Sequence, residues 1–258
     1  MKKTVVVLTT FMMFLLLVMS SSAFAQIFAD SYYTLEEVPF SWVGTYANRT
    51  IAPSKVYTYG DESLATKILS SRFTFYGQAD LLLSADTNGN IWFDNVTKSA
   101  HSFNLPQSGT RVISAWNNDL SSYYYGGAFI EELSDQVIVE WVTETYTDEG
   151  LARLNNFEAV VFKDGRIRLD YKSFNPSTNK DFGSGISMGD GTNYLEITDK
   201  FGNVTNLAGR SFLYTPISQS SSVLPAATLT AASTNTTITI KKQRPLAPKV
   251  VPRRFRNK

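Results

Sequence analysis

Residues 155–191 read NNFEAVVFKDGRIRLDYKSFNPSTNKDFGSGISMGDG. Phe157, Ala159 and Val161 point one way along an extended segment. Asp164-Gly165 reverses the chain, and Ile167, Leu169 and Tyr171 then alternate with Arg166, Arg168 and Asp170. Successive side chains of a strand face opposite sides, so alternation of period two on both flanks of an Asp-Gly pair is the pattern of a hairpin with one buried face. This stretch sets the fold class as β.

The same reading extends outward. Arg72-Phe73-Thr74-Phe75-Tyr76-Gly77 alternates and stops at glycine, Leu81–Leu83 is a short apolar run, and Asn88-Gly89 turns the chain into Ile91-Trp92-Phe93. Residues 111–116 form a further strand, as do 123–130, where Gly126-Gly127 suggests a bulge. Val137, Val139 and Trp141 alternate with Ile138, Glu140 and Val142, and 194–197 and 211–214 complete the set. Residues 32–60 open the body with Tyr32-Tyr33, Phe40-Ser41-Trp42 and a turn at Gly44. The best helical candidate is DESLATKILS at 61–70, and it is short. Many short strands separated by turn residues predict an all-β, antiparallel, jelly-roll-like β-sandwich. No fixed-period repeat points to a solenoid or propeller.

The ends differ from the middle. Lys2-Lys3, the apolar run 5–19 and Ala23-Phe24-Ala25 have the layout of a cleaved export signal over 1–25. The run is shorter than the roughly 20 residues a spanning helix needs, and no later segment is apolar enough, so the reading leaves no transmembrane span after cleavage and a secreted, periplasmic or cell-surface address. The opening Met-Lys-Lys has a bacterial look. The chain has no cysteine, which excludes disulfide staples, thiolate metal sites and a Cys-anchored lipid. Residues 26–215 are enough to bury a core and carry 14 Lys and Arg against all 23 Asp and Glu. Residues 216–258 turn Ser/Thr/Pro-rich and then basic, with eight Lys and Arg and no acid, the composition of a flexible tail. Thr236–Ile240 is the one stretch of it suited to a strand. Such a tail can meet an anionic envelope surface, and export argues against nucleic acid as its partner.

Taken in order, Phe73-Thr74-Phe75-Tyr76-Gly77, Thr87-Asn88-Gly89-Asn90-Ile91-Trp92-Phe93, the segment 113–120, Val137–Trp141, the hairpin 157–167 and Gly185–Gly191 resemble the nidogen-like extracellular domains, over roughly residues 55–198. The segment 113–120 carries Asn117-Asn118 where that family's acid pair begins. The resemblance implies an all-β extracellular module of the kind tied to matrix and adhesion, with no catalytic residues.

Candidate sites divide by chemistry. Asp86, Asn88 and Asn90 sit at alternate positions, with Asp94 beyond, and alternate loop oxygens can hold calcium. Ile91 and Thr97 stand where an EF-hand loop has glycine and glutamate, so an Asn-Gly turn with backbone-capping side chains is the competing account. Asn117, Asn118 and Asp119 follow the strand that ends at Trp116, and a carboxylate there can take a cation or a sugar hydroxyl, or bond local amides; Trp116, Asn118 and Asp119 are the candidate ligand-binding residues. Tyr123, Tyr124 and Tyr125 can make a stacking platform or pack as ordinary sandwich residues. Glu131-Glu132 and Asp148-Glu149 are neighbours, which diverge on a strand; Glu140 and Glu158 can pair across a sheet or bridge to Arg166 or Arg168. His101, the sole histidine, reads as a loop residue. No nucleophile elbow, phosphate loop or dinucleotide fingerprint occurs. Asn48, Asn95, Asn203 and Asn235 begin glycosylation sequons, expected bare in a bacterial host. The expectation is a secreted, non-enzymatic binding or structural module, without a cofactor, meeting an extracellular polymer or protein surface; the rival is a lectin-like or carbohydrate-active domain.

Overall fold

The computed structural model describes residues 28–45, 55–94, 96, 99–101, 103–178, 183–197 and 204–218. Residues 1–25, read above as an export signal, the basic tail with Thr236–Ile240 and all four sequon asparagines lie outside the described residues. The strands are β1 (Phe28–Ala29), β2 (Tyr33–Val38), β3 (Lys55–Thr58), β4 (Leu64–Phe75), β5 (Gln78–Asp86), β6 (Asn90–Trp92), β7 (Val112–Asn117), β8 (Leu120–Ser121), β9 (Gly127–Glu132), β10 (Gln136–Thr145), β11 (Asn155–Phe162), β12 (Ile167–Ser173), β13 (Gly183–Ser187), β14 (Tyr194–Glu196) and β15 (Arg210–Pro216). They form two antiparallel sheets. The first has the order β1-β2-β15-β12-β11-β10-β9-β3, with β8 on the end of β10; the second has the order β14-β13-β7-β6-β5-β4. Among the described residues no helix is long and apolar enough to cross a membrane.

The β11–β12 hairpin has the predicted faces. Phe157, Ala159, Val161, Ile167, Leu169 and Tyr171 all enter the core between the sheets. Its loop is one residue longer than an Asp-Gly turn: Phe162 and Arg166 close it (N–H to O, 2.9 Å), and Gly165 takes φ +92°. A three-residue loop ending in a left-handed glycine is a standard hairpin connection. Aromatic contacts run within the first sheet and across to the second. Trp141 stacks on Phe157 with centroids 5.3 Å apart, and Trp116 meets Phe157 edge-on at 5.6 Å. The Trp141 indole N–H, buried, donates to the carbonyl of Asp86 in the opposite sheet at 2.7 Å.

Two expectations are corrected. Residues 61–70 are not helical; 64–75 is one long strand. Ala65 and Leu69 face inward, as they would at helical spacing too, but Lys67 between them is also inward, its ammonium 3.9 Å from Glu132. A lysine on the buried face hid the alternation. Tyr123–Tyr125 are not part of a strand. β9 starts only at Gly127, and the three tyrosines form an exposed turn. Gly126 is the reason: it lies at φ +85°, and a Cβ there would sit 1.9 Å from the carbonyl oxygen of Val142.

Both outer faces are partly covered. β2 and β3 lie toward opposite flanks of the first sheet, and the described residues that follow β2 run over that sheet's outer face strand by strand. Ser41 N donates to Ser211 Oγ of β15 (3.0 Å), Val43 N and Gly44 N donate to the two carboxyl oxygens of Glu158 on β11 (2.8 Å each), and Thr45 N and Oγ1 reach Glu140 on β10. On the second sheet, Trp92, Leu105 and Val112 make a small separate cluster under the 94–108 loop, joined by Val96, Ala100 and Phe103.

Candidate functional site

The residues singled out near Asn88 and Asp119 converge at one end of the sandwich. Gly89 makes the turn that brings them together. Its φ is +83°, and a Cβ would lie 2.1 Å from the carbonyl oxygen of Trp116, so only glycine lets the β5–β6 turn rest on β7. Asn88 then acts as a hub: its amide donates to Glu62 (3.1 Å) and Ser99 (2.9 Å), and its oxygen accepts from Leu120 N (2.8 Å). Three loops that are distant in sequence are tied by one side chain.

The oxygens of the Asp86, Asn88 and Asn90 set are engaged by protein donors. Asp86 is fully buried and accepts from Asn90 N (2.9 Å), the Trp92 indole N–H (2.6 Å) and Ala100 N (3.3 Å), while Asn90 Oδ1 accepts from Ser114 (2.8 Å). Burial pushes the Asp86 carboxyl up to about 6 despite these donors. The geometry is that of the capped Asn-Gly turn, the competing account of this segment. Trp116 is likewise a core residue, packed on Phe157 and Phe174, and offers no exposed ring face. Asn118 is nearly buried, with its oxygen bonded to Asp119 N at 2.8 Å.

Asp119 and the tyrosines reach the surface. Tyr123 and Tyr124 are 64% and 61% exposed and meet edge-on at 5.1 Å; Tyr125 is 43% exposed. Their neighbours come from a distant part of the chain. Gly60 and Ser122 exchange two bonds, Gly60 N to Ser122 Oγ at 3.1 Å and Ser122 N to Gly60 O at 3.0 Å. That pairing joins the end of the Tyr57–Gly60 segment to the start of the 123–125 turn. Tyr59 is 60% exposed and stacks with Tyr57, which stacks in turn on Phe129 of β9, each at 6.3 Å. Five exposed tyrosines thus sit on two segments pinned to each other. The sequence reading did not single out Tyr57 and Tyr59; that their segment joins the turn 123–125 depends on a contact between residues 62 apart in sequence.

Carboxylates border the tyrosines. Glu62, His101 and Asp119 bring one ligand atom each within 4.8 Å of one another, with His101 Nε2 3.3 Å from Glu62. His101 is therefore a loop residue with an acidic neighbour. Partial burial, then the charges of Glu62, Asp119 and Glu149, hold the Asp61 carboxyl above its ordinary range.

A second group of acids lies elsewhere. Glu140, Glu158 and Asp170 are adjacent in register on β10, β11 and β12, all on the outer face of the first sheet and all buried. Arg168 pairs with Asp170 (2.9 Å), and Arg166 with Asp164 rather than with Glu140 or Glu158. Burial, with the charge of Asp170 adding to it, pushes Glu158 up to about 8 against the pull of the Val43 and Gly44 amides. A carboxyl pair with one raised pKa resembles an acid–base dyad, but here the oxygens of Glu158 and Glu140 accept the backbone amides of 43–45. A cavity of about 170 Å³ lies apart from both groups, lined chiefly by Tyr32, Tyr33, Tyr76 and Pro216. The hydroxyls of Tyr33 and Tyr76 are bonded to Gly165 O and Asp30. Comparison of the chain with protein-family models, with curated proteins and with solved structures finds no match to any of them.

Proposed function

We propose that this chain is an exported, non-catalytic attachment module that meets an extracellular polymer or protein surface through the tyrosine rim of Tyr57, Tyr59 and Tyr123–Tyr125. One observation carries the reading: five large aromatic side chains are held in solvent on two segments that hydrogen bonds and left-handed glycines fix in place. An exposed apolar patch on a folded body marks a contact surface, and tyrosine, which has few rotatable bonds and an amphipathic ring, loses little entropy on docking. The rim sits on the turn-bearing end of a sandwich, where loops are free to carry recognition. The order of motifs shared with nidogen-like domains over roughly 55–198 supports the same reading, and the basic segment 241–258 supplies a second contact, with anionic envelope surfaces.

The test is retention of the exported protein on its own cells or their matrix. A variant with Tyr57, Tyr59, Tyr123 and Tyr124 changed to serine keeps its β-type circular dichroism, because all four side chains are exposed, and loses most of its retention. Undiminished retention of that variant refutes the proposal. Hydrolysis of any offered glycan by the wild-type chain refutes the non-catalytic part.

A further inference from the structure

We infer that the partner taken by this rim is a cationic polypeptide segment, whose Lys and Arg side chains lie across the tyrosine rings and end among Asp61, Glu62, Asp119 and Glu149. The inference rests on the reading of the rim as the contact surface and adds the chemistry of what it contacts.

The apolar part of the surface comes first. The exposed aromatic side chains here are tyrosines, whose ring faces carry negative potential and attract a cation held above them, guanidinium above all. Tyr57 and Tyr59 are near-parallel, with an interplanar angle of 19°, and so present similarly oriented faces. The long alkyl stems of Lys and Arg can lie along such rings while the charged head stays at the water boundary.

Charge then selects among partners. The four acids come from the β3–β4 connection (Asp61, Glu62), the β7–β8 turn (Asp119) and the segment after β10 (Glu149). Among the described residues, no ion pair involves Asp61, Asp119 or Glu149, and Glu62 has only His101. Many acids elsewhere on the body have a basic partner, Glu131 with Lys55, Glu132 with Lys67 and Lys163, Asp80 and Asp94 with Arg111, and Asp170 with Arg168; Glu36 and Asp135, which have none, stand apart from one another in the sequence rather than in a cluster at one set of loops. The raised pKa of Asp61 accords with that local excess of negative charge, which adds to the effect of its partial burial. An anionic partner, such as a nucleic acid, a sulfated glycan or an acidic lipid surface, would add to the repulsion. A purely apolar partner would strip water from unmatched carboxylates. A cationic segment satisfies both halves of the surface at once.

The experiment measures binding of fluorescently labelled octa-arginine to the purified exported chain by anisotropy, at low and at high salt. Octa-glutamate and neutral chito- and cello-oligosaccharides serve as the comparison ligands. Octa-arginine is expected to bind, and to bind more weakly as salt rises. The variant D61N/E149Q, which changes one exposed and one half-buried acid of the rim, should bind about tenfold more weakly. The variant E36Q/D135N removes the same charge from acids outside the rim and should bind as the wild type does. Equal weakening by the two variants overturns the inference, because attraction would then follow net charge alone. Binding of a neutral oligosaccharide with indifference to octa-arginine also overturns it, while leaving the rim as the contact surface if the tyrosine-to-serine variant abolishes that binding. If neither ligand class responds to the tyrosine variant and cell retention is likewise unaffected, the underlying reading of the rim has failed instead.

Discussion

Replacing Glu158 with glutamine should flatten the pH dependence of folding stability. Glu158 is fully buried on β11, between Glu140 and Asp170 in register, and its two oxygens accept Val43 N and Gly44 N at 2.8 Å. Besides those two acids, the charged groups around this segment are Arg168, bonded to Asp170 and to the Ser41 carbonyl, Lys172 over the Trp42 ring, and Lys55 on the Thr45 carbonyl. None of these cations is bonded to Glu158. Burial and the neighbouring acid lift its carboxyl from 4.5 to about 8. The folded state therefore holds a proton that the unfolded chain has released, and the sign follows: the stabilisation is complete below pH 4.5 and is lost as pH rises through 8. A shift of that size corresponds to about 5 kcal/mol at the limit; sharing of the proton with Asp170 and relaxation of the crossing segment bring the expected loss between about pH 5 and 8 to about 2–3 kcal/mol. Asp86 and Asp170, also raised, add to the same slope. Asp94, Glu132 and Asp148 are lowered and act only on the acid side of that window. Glutamine cannot ionise, and its amide N–H2 can still donate toward Asp170, but it replaces one acceptor of the crossing segment with a donor. E158Q should then be about 1–3 kcal/mol less stable than wild type at about pH 5, and that deficit should shrink or vanish by about pH 8.5. Urea unfolding across this pH range reads both quantities. A wild-type stability that is flat or rising over that range, or a variant that runs parallel to it, refutes the reasoning.

Three further outcomes follow from other parts of the structure. Gly89→Ala should cost more than about 3 kcal/mol, since the added Cβ meets the Trp116 carbonyl at 2.1 Å, whereas Gly77→Ala, at a similar φ of +74° with nothing within 4 Å, should cost only about 1 kcal/mol; thermal unfolding of the pair separates collision from conformational strain. Arg111→Met should cost about 3 kcal/mol in urea unfolding, because the guanidinium, 3% exposed, bridges Asp80 and Asp94 and donates to the Phe75 carbonyl. Burial alone would raise Asp94, but the bonds and charge of Arg111 outweigh it and lower the carboxyl. The stabilisation it gives is present above the ordinary carboxylate pKa and lost as pH falls through the lowered one, so R111M should lack that part of the acid-side decline. Deleting 241–258 should leave unfolding of the remaining chain unchanged and reduce sedimentation with anionic vesicles, as the loss of eight basic residues requires.

The fold was legible where one face of a strand is apolar and the other is not. The alternation of β10, β11 and β12 gives inward sets, Val137, Val139 and Trp141 among them, that all lie in the core. It failed where the buried face carries charge, as at Lys67, or where the backbone rather than the side chains decides the geometry, as at Gly126. It was also silent on the outer faces. Ile138, Val142 and Val160 face away from the core yet are buried, and nothing in their own segments says that residues 41–45 run over that face of the sheet. That information lies in strand order: β2 pairs with β15 and β3 with β9 on the opposite flank, and residues 41–45 leave β2 over β15, β11 and β10.

The same distinction explains the acids. Read along the chain, Glu140 and Glu158 are two mid-strand carboxylates awaiting arginines, and Arg166 and Arg168 are near enough in sequence to supply them. The structure gives those arginines to Asp164 and Asp170 and gives the glutamates to backbone amides. A segment crossing a sheet without joining it has N–H groups that no strand can satisfy, and a buried amide left unmatched is costly. Carboxylates pointing outward from β10 and β11 are suited to accept them, since each offers two oxygens and bonds strongly to amide donors. Their burial is thus explained by the connection they hold. Asp61, Asp119 and Glu149 hold no such connection, and Glu62 gives one oxygen to the Asn88 amide. They border a surface that carries five exposed tyrosines and no arginine or lysine partner among the described residues. One set of carboxylates completes the fold, and the other remains available for something outside it.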